Sequence, residues 1–212
     1  MINLFNNISD KNINKILKIL NAHTITSPEK LDITPLIDAD NTICYIKSGS
    51  IQINKFDYNG NKIKLEELYE YDSFLPNISY TLDEDFKIIS NEPVTLIILN
   101  IDHILNKENY KYSYFNILIQ NLFSIINDKI KEKNERIEIL SKRSIRDKLL
   151  EYFKIISKKN GSKVIYLPFG FTDLASYLAV DRSAMSRELK YLKEEGLISI
   201  NGKRITLEYI KR

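Results

Sequence analysis

The stretch FTDLASYLAVDRSAMSRELKYLKEEGLISINGK, Phe171 to Lys203, decides how this chain is read. Thr172 followed by Asp173 predicts a helix start, because the hydroxyl accepts from an otherwise unpaired backbone N–H and the carboxylate sits at the positive end of the helix dipole. Leu174, Ala175 and Leu178 give that helix one apolar face. Asp181 is placed to cap a second helix, on which Met185, Leu189 and Leu192 recur at helical spacing, and Gly196 is placed to end it in a left-handed conformation. Two helices meeting at a turn of about three residues form a helix-turn-helix. Beyond them, Leu197 to Ile200 and Ile205 to Ile210 flank Asn201-Gly202, a dipeptide that favours a hairpin because both residues tolerate positive φ. The whole stretch predicts a winged helix-turn-helix.

A small helical subdomain with a hairpin and no nucleic-acid partner would have the same shape, and charge separates the two readings. The chain holds 31 Lys plus Arg and 28 Asp plus Glu, formally +3. Residues 141 to 212 carry 16 of those cations against 8 of the anions, net +8, which leaves 15 against 20, net −5, for the rest. Positive charge gathered at one end of a nearly neutral chain is the footprint of a phosphate-binding module.

The run Leu174-Ala175-Ser176-Tyr177-Leu178-Ala179-Val180-Asp181-Arg182-Ser183-Ala184-Met185-Ser186-Arg187, followed by Leu197-Ile198 and the wing, resembles the DNA-binding end of the Crp/Fnr transcription regulators. The resemblance implies an α+β architecture. It comprises a β jelly-roll (double-stranded β-helix) sensor barrel of the cyclic-nucleotide-binding type over 1–108, a long dimerisation helix over 109–140, and a winged helix-turn-helix over 141–212. The segment Tyr45-Ile46-Lys47-Ser48-Gly49-Ser50-Ile51-Gln52-Ile53 resembles the first hairpin of that barrel.

The rest of the chain is read against this expectation. Its 212 residues, 43% hydrophobic and 28% charged, suit one large or two small globular domains. No apolar segment follows a basic start, and the longest apolar run, Val94 to Ile101, is broken by Asn100 and too short to span a bilayer, so no membrane partner and a cytoplasmic location are expected. The abundance of Ile, Lys and Asn suggests an AT-rich bacterial genome. A single cysteine, Cys44, excludes an intrachain disulfide framework and an all-cysteine zinc or iron–sulfur site within one chain. With only His23 and His103 besides, no metal site is expected, and Cys44 reads as a buried, inert thiol.

Residues 11 to 22 place Ile13, Ile16, Leu17 and Leu20 on one face of a short helix. From Thr24 to Leu99 the pattern turns to short strands: Thr42 to Ile46, Ser50 to Phe56, Lys62 to Leu68, Phe86 to Ser90 and Val94 to Leu99. Asp57-Tyr58-Asn59-Gly60 joins two of them as a hairpin, and Gly49 breaks another pair. A long helix opens near Asn109 and runs to about Leu140 without Pro or Gly. On it Ile119, Phe123, Ile126, Ile130, Lys133, Ile137 and Leu140 step by four and three, the seam of a coiled coil. Phe115, Leu118, Leu122 and Ile125 form a second stripe. One stripe can face the chain's own domain and the other a partner chain, which predicts a homodimer. A further helix is expected over Lys142 to Ser157, ended by Lys158-Lys159-Asn160-Gly161, with an interdomain hinge near 139 to 143.

A helix suits the major groove of double-stranded DNA, whose width admits it and whose edges distinguish every base pair. Arg182, Ser183, Ser186 and Arg187 are the expected base readers, with Arg187 suited to guanine. Thr172, Asn201 and Lys203 are the expected backbone clamps. Ser183 stands where many family members have Glu, so the familiar half-site is not implied, and Ala179 replaces the usual turn Gly. Cyclic-nucleotide-binding members carry a Gly-Glu pair and an Arg followed by Ser or Thr in a phosphate cassette. Here the corresponding stretch is Tyr71-Asp72-Ser73-Phe74-Leu75-Pro76-Asn77, with Leu-Pro where Gly-Glu would be, and no Arg precedes Arg136. The effector is therefore not expected to be cyclic AMP, and Lys87 is at best a point charge. Neither an iron–sulfur cluster nor any other cofactor is expected, while an unknown small-molecule effector and RNA polymerase are the partners the resemblance leaves room for. No Ser/His/Asp ordering, phosphate loop or metal-spaced cluster suggests an enzyme. The remaining alternatives are a ligand-independent or peptide-sensing regulator, and a dimeric scaffold whose wing binds protein.

Overall fold

The alternation of side chains along one strand explains the architecture of the first half. In β2 (Thr42–Ser48), Cys44 and Ile46 point to one side and Ile43 and Tyr45 to the other, and all four are buried. The same holds in β7 (Val94–Asn100), where Leu96 and Ile98 oppose Ile97 and Leu99. A sheet covered on both faces needs continuous apolar strands, which is why these two runs show no polar alternation.

The computed structural model describes residues 3–38, 41–58, 60, 62–76, 80, 85–168 and 170–209, and its contacts divide the chain into two units, Met1–Lys129 and Ile130–Arg212. Asn59 of the expected hairpin turn, Asn77 of the cassette stretch and Ile210 of the wing lie outside the described residues. In the first unit β1 (His23–Ser27), β7, β2 and β5 (Ser73–Phe74) form one antiparallel sheet in that order. A second sheet has the order β4 (Lys62–Leu68), β3 (Ile51–Phe56), β6 (Phe86–Ser90). Cys44, Ile46, Leu96 and Ile98 of the first meet Ile51, Ile53, Leu68, Phe86 and Ile88 of the second in one core. No strand pairing joins the two sheets among the described residues. The β region is thus a pair of packed antiparallel sheets, within the α+β architecture expected, and no pairing among the described residues closes it into a barrel.

Gly49 corrects a second expectation. Strands β2 and β3 do not form a hairpin; they lie in different sheets, and Gly49, at φ +83°, carries the chain from one to the other. A Cβ built there would sit 2.3 Å from the Pro93 carbonyl oxygen, so only glycine fits. Cys44 is fully buried, and that burial pushes its thiol pKa well up, so the sulfur stays protonated.

The other face of the first sheet is covered by helices. Ile16 and Leu20, on and just after α1 (Asp10–Ile19), and Phe115, Leu118, Leu122 and Ile125 of a long helix pack on Ile43, Tyr45, Ile97 and Leu99. Between β7 and that long helix stand α2 (Ile101–Ile104) and a 3-10 turn at Lys107–Lys111, so α3 (Ser113–Leu140) begins later than Asn109. Near the end of the first unit, Lys129 donates to the Glu66 carboxylate on β4, which also accepts from the Tyr80 hydroxyl. Of the expected seam, Ile119 and Ile126 are half-buried against the first core, whereas Phe123 (63% exposed), Ile130 (51%) and Ile137 (64%) are open.

The second unit contains the last part of α3, then α4 (Ile145–Asn160), β8 (Val164–Tyr166), α5 (Phe171–Tyr177), α6 (Arg182–Glu194), β9 (Ile198–Asn201) and β10 (Arg204–Leu207). Helix α4 starts after Lys142 because Ser144 caps it, its hydroxyl accepting from Asp147 N at 3.0 Å, and it ends on Gly161 at φ +59°. The strands form one antiparallel sheet, β8-β10-β9. Leu149, Phe153, Ile165, Leu174, Met185 and Ile205 meet in a core that also takes Ile139 of α3. Among the described residues no helix is long and apolar enough to cross a membrane. Among the described residues no group of three His, Cys, Asp or Glu is arranged to hold a metal ion.

Candidate nucleic-acid interface

Two short helices and a wing place the expected contact residues, and each is held by identifiable bonds. Helix α5 begins one residue before Thr172: Gly170 is its N-cap, with no side-chain cap bond, so Thr172 lies inside the first turn and not at the capping position expected. Its carbonyl accepts from Ser176 Oγ at 3.2 Å, and its side chain is exposed. The helix closes through Val180 N to Ala175 O (3.0 Å) and Ala179 N to Ser176 O (3.1 Å). Lys148 of α4 donates to the carbonyl of Leu178 at 3.1 Å, placing a cation at the negative end of α5.

Ala179 takes φ +50°, the left-handed conformation in which glycine is usual. Ala there costs about 1 kcal/mol. The buried side chains of Leu174, Leu178, Met185, Leu189 and Leu192 each contribute about 1.5–3 kcal/mol, so packing outweighs the strain at the turn.

Asp181 caps α6 as expected, its Oδ1 accepting from Ala184 N at 2.7 Å. Gly196, at φ +70°, ends the helix, with Leu197 N bonded to Leu192 O at 3.0 Å. Met185, Leu189 and Leu192 are buried beneath it. Arg182, Ser183, Ser186 and Arg187 are exposed on its other side. Lys190, not foreseen as a contact residue, is exposed on the same face. It lies one turn beyond Ser186, and i, i+4 spacing from that residue would have found it.

Carboxylates neutralise Lys142, Arg146 and Lys154 on and just before α4, and on α6 Lys190 lies 3.7 Å from Glu194. Glu195 accepts a two-pronged contact from Arg146, which holds its carboxyl below the usual range, and Glu188 lies 3.4 Å from the same guanidinium. Glu151 takes Lys142 at 3.3 Å and Lys154 at 3.2 Å. Among the described residues no carboxylate pairs with Arg182, Arg187, Lys203 or Arg204. The contrast is chemical: Arg146 and Lys154 of α4 bind this protein's own anions, whereas Arg182 and Arg187 of α6 and Lys203 and Arg204 of the wing have no carboxylate partner among the described residues.

The wing turn differs from expectation by one residue. Asn201 pairs with Arg204 and Ile200 with Ile205, so the two-residue turn is Gly202-Lys203 and Asn201 ends β9. Gly202 has φ +59° at the first central position, the requirement of a type II′ turn. Asn201 and Lys203 are both exposed. Strand β8, too short to be predicted from the sequence, pairs its Ile165 with Ile205 and turns the hairpin into a three-stranded sheet.

Residues 145–212 match the profile of the Crp-like helix-turn-helix domain. No curated protein matches the sequence. Among solved structures, the catabolite activator protein of Thermus thermophilus superposes with a TM-score of 0.53 at 16% identity, over 97% of this chain and 93% of that one. A CooA mutant from Carboxydothermus hydrogenoformans gives 0.60 at 18% identity, over 94% and 93%. The c-di-GMP responsive global regulator CLP of Xanthomonas campestris gives 0.55 at 16% identity, over 93% and 99%. Such identities establish fold alone, and nearly the whole chain shares the fold of these three proteins.

Proposed function

We propose that this chain, with a Crp-like helix-turn-helix domain over 145–212 and the Crp/Fnr fold around it, is a sequence-specific DNA-binding transcription regulator that acts as a homodimer. The observation that carries the reading is the exposed face of α6, where Arg182, Ser183, Ser186 and Arg187 stand without any carboxylate partner among the described residues. Helix α6 enters the major groove, Arg187 forks onto guanine, and Thr172, Asn201 and Lys203 hold the backbone on either side. The exposed Phe123, Ile130 and Ile137 on α3 are covered by the same stripe of a second copy, so that two α6 helices face a palindromic operator.

The effector of the first unit is not cyclic AMP. A cyclic phosphate needs free backbone N–H donors and a guanidinium; the stretch from Tyr71 holds no arginine, and among its described residues two N–H groups are already taken. Tyr71 N is already bonded to Ile46 O at 2.8 Å and Asp72 N to Tyr69 O at 3.0 Å, and Leu75 is buried in the first core. Pro76 has no N–H to give.

Titrating random-sequence duplex DNA at increasing salt tests the function. A regulator neutralising several phosphates loses affinity with a slope of about −0.9 per phosphate in log K against log salt, and a protein-binding scaffold has no such slope.

A further inference from the structure

Helix α4 presents one row of side chains outside the second core. Leu149, Tyr152 and Phe153 are buried in that core, while Asp147, Leu150, Glu151 and Lys154, at i, i+3, i+4 and i+7, line up on another face of the helix. Two side chains from beyond the helix wall this row. Lys142, in the joint between α3 and α4, lies 3.3 Å from the Glu151 carboxylate, and the hydroxyl of Tyr209, just after β10, lies 3.5 Å from the carbonyl oxygen of Leu150. The bond from Glu208 N to Leu197 O, 2.9 Å, holds the segment that carries Tyr209. Together the six residues line a cleft of about 220 Å³. A drug-sized ligand takes roughly 300–1,000 Å³, so the cleft suits a smaller molecule.

The charges of the cleft select the class of ligand. Lys142 and Lys154 balance Asp147 and Glu151, so the cleft is neutral as a whole and shows both signs. Asp147 is committed to the start of α4, its Oδ2 accepting from Ser144 Oγ at 2.7 Å. Glu151, with its side chain 12% exposed, lies between the two ammonium groups, 3.3 Å from Lys142 and 3.2 Å from Lys154. An ammonium has three N–H donors, so each lysine can hold Glu151 and still donate to an occupant. A lone anion would be repelled by Glu151, and a lone amine by both lysines. A molecule with an ammonium and a carboxylate on one carbon meets both signs at the short spacing of these pairs. Leu150 and Tyr209 add an apolar wall. We propose that this cleft binds a free α-amino acid with an apolar side chain, its carboxylate on Lys142 and Lys154, its ammonium on Glu151 and its side chain against Leu150 and Tyr209. Because Lys142 stands between the end of α3 and the Ser144 cap of α4, an occupant stiffens that joint. The site is separate from the α6 surface, and its occupancy is read without DNA.

The test titrates the full chain with L-leucine, L-methionine and L-phenylalanine by ligand-observed NMR. Saturable binding of at least one in the millimolar range is expected, since the ligand exchanges with exposed ion pairs of small net value. The N-acetyl derivative of the best ligand lacks the ammonium and its amide lacks the carboxylate, and each should bind about tenfold more weakly or worse. Lys154→Gln, at a side chain 63% exposed, should weaken the amino acid about tenfold, as should Glu151→Gln. Lys158→Gln, on the same helix but outside the cleft, should leave it unchanged. Urea midpoints at neutral pH establish that the variants are folded. If none of the three amino acids binds saturably, or if the acetylated or amidated form binds as well as the parent, the zwitterion site is overturned. Binding that Lys154→Gln and Glu151→Gln both leave unchanged lies elsewhere in the chain and overturns the assignment to this cleft.

Discussion

The guanidinium carbon of Arg136, near the end of α3, lies 5.1 Å from the centroid of the Tyr177 ring, the last residue of α5. Tyr152 of α4 meets the same ring edge-on at 5.6 Å. Arg136 Nε is buried with no hydrogen-bond partner among the described residues, so the ring face is a principal contact of this cation. Tyr177 immediately precedes the Leu178-Ala179-Val180 turn, and the stack therefore fixes the turn of the motif to α3. A cation–π contact of this kind contributes about 0.5–2 kcal/mol. A double-mutant cycle of Arg136→Ala and Tyr177→Leu, read by urea unfolding of the second unit, is expected to give a coupling of that size; additive effects would mean the stack contributes nothing.

The exposed stripe on α3 predicts a dimer seam. Ile130→Glu with Ile137→Glu sets like charges on the two-fold and removes apolar burial, at sites that do not belong to either core. Ile126 is a poorer choice because it is half-buried against the first core. Light scattering should report a monomer at concentrations where the unaltered chain is a dimer. A dimer of unchanged dissociation would assign the seam to another face.

Calorimetry with cyclic AMP is expected to give no heat of binding at micromolar protein. Leu75 and Pro76 occupy the place of the Gly-Glu pair, and no arginine precedes Arg136. A micromolar constant would require another phosphate holder, of which Lys87, 3.3 Å from Asp32, is the nearest in chemistry.

Glu151 predicts an acid-sensitive contribution to the second unit. Partial burial would raise its pKa, but hydrogen bonds from Lys154 and Lys142 outweigh that and hold the carboxyl below the usual carboxylate value. A folded-state pKa below the unfolded one gives stability that is full above the unfolded value and is lost as pH falls through the folded one. Urea midpoints should therefore fall in that acid window for the natural sequence and less for Glu151→Gln. Parallel curves would mean that these ion pairs add no stability.

What was legible in the sequence follows from how local each signal is. Asp181, Gly196 and the Met185-Leu189-Leu192 stripe act within one helix, and the structure has the cap, the left-handed end and the buried face where their spacing put them. The buried stripe of Phe115, Leu118, Leu122 and Ile125 was equally plain. Strands β1 and β8 were not, because HTITS and VIY are too short or too polar to announce themselves, and their pairings, His23 with Ile98 and Ile165 with Ile205, are long-range. The β9–β10 register, Asn201 with Arg204 and Ile200 with Ile205, moves the wing turn to Gly202-Lys203, since register is set by the partner strand and not by the turn dipeptide alone. The free cations of α6 emerged only once the partners of Arg146, Lys142 and Lys154 were known.

The central claim, that α6 reads bases while the wing clamps backbone, is tested most directly by binding-site selection followed by salt titration on Arg187→Ala and Lys203→Ala. Loss of a bidentate base contact costs about 1–3 kcal/mol per subunit and relaxes one base position, whereas loss of a phosphate contact weakens all sequences alike and lowers the salt slope by about 1 per subunit. The selected site should be roughly palindromic, with half-site centres about one helical turn apart, altered in sequence by Arg187→Ala and only in affinity by Lys203→Ala. An unchanged selected sequence with Arg187→Ala, together with an altered one for Lys203→Ala, would contradict α6 as the reader.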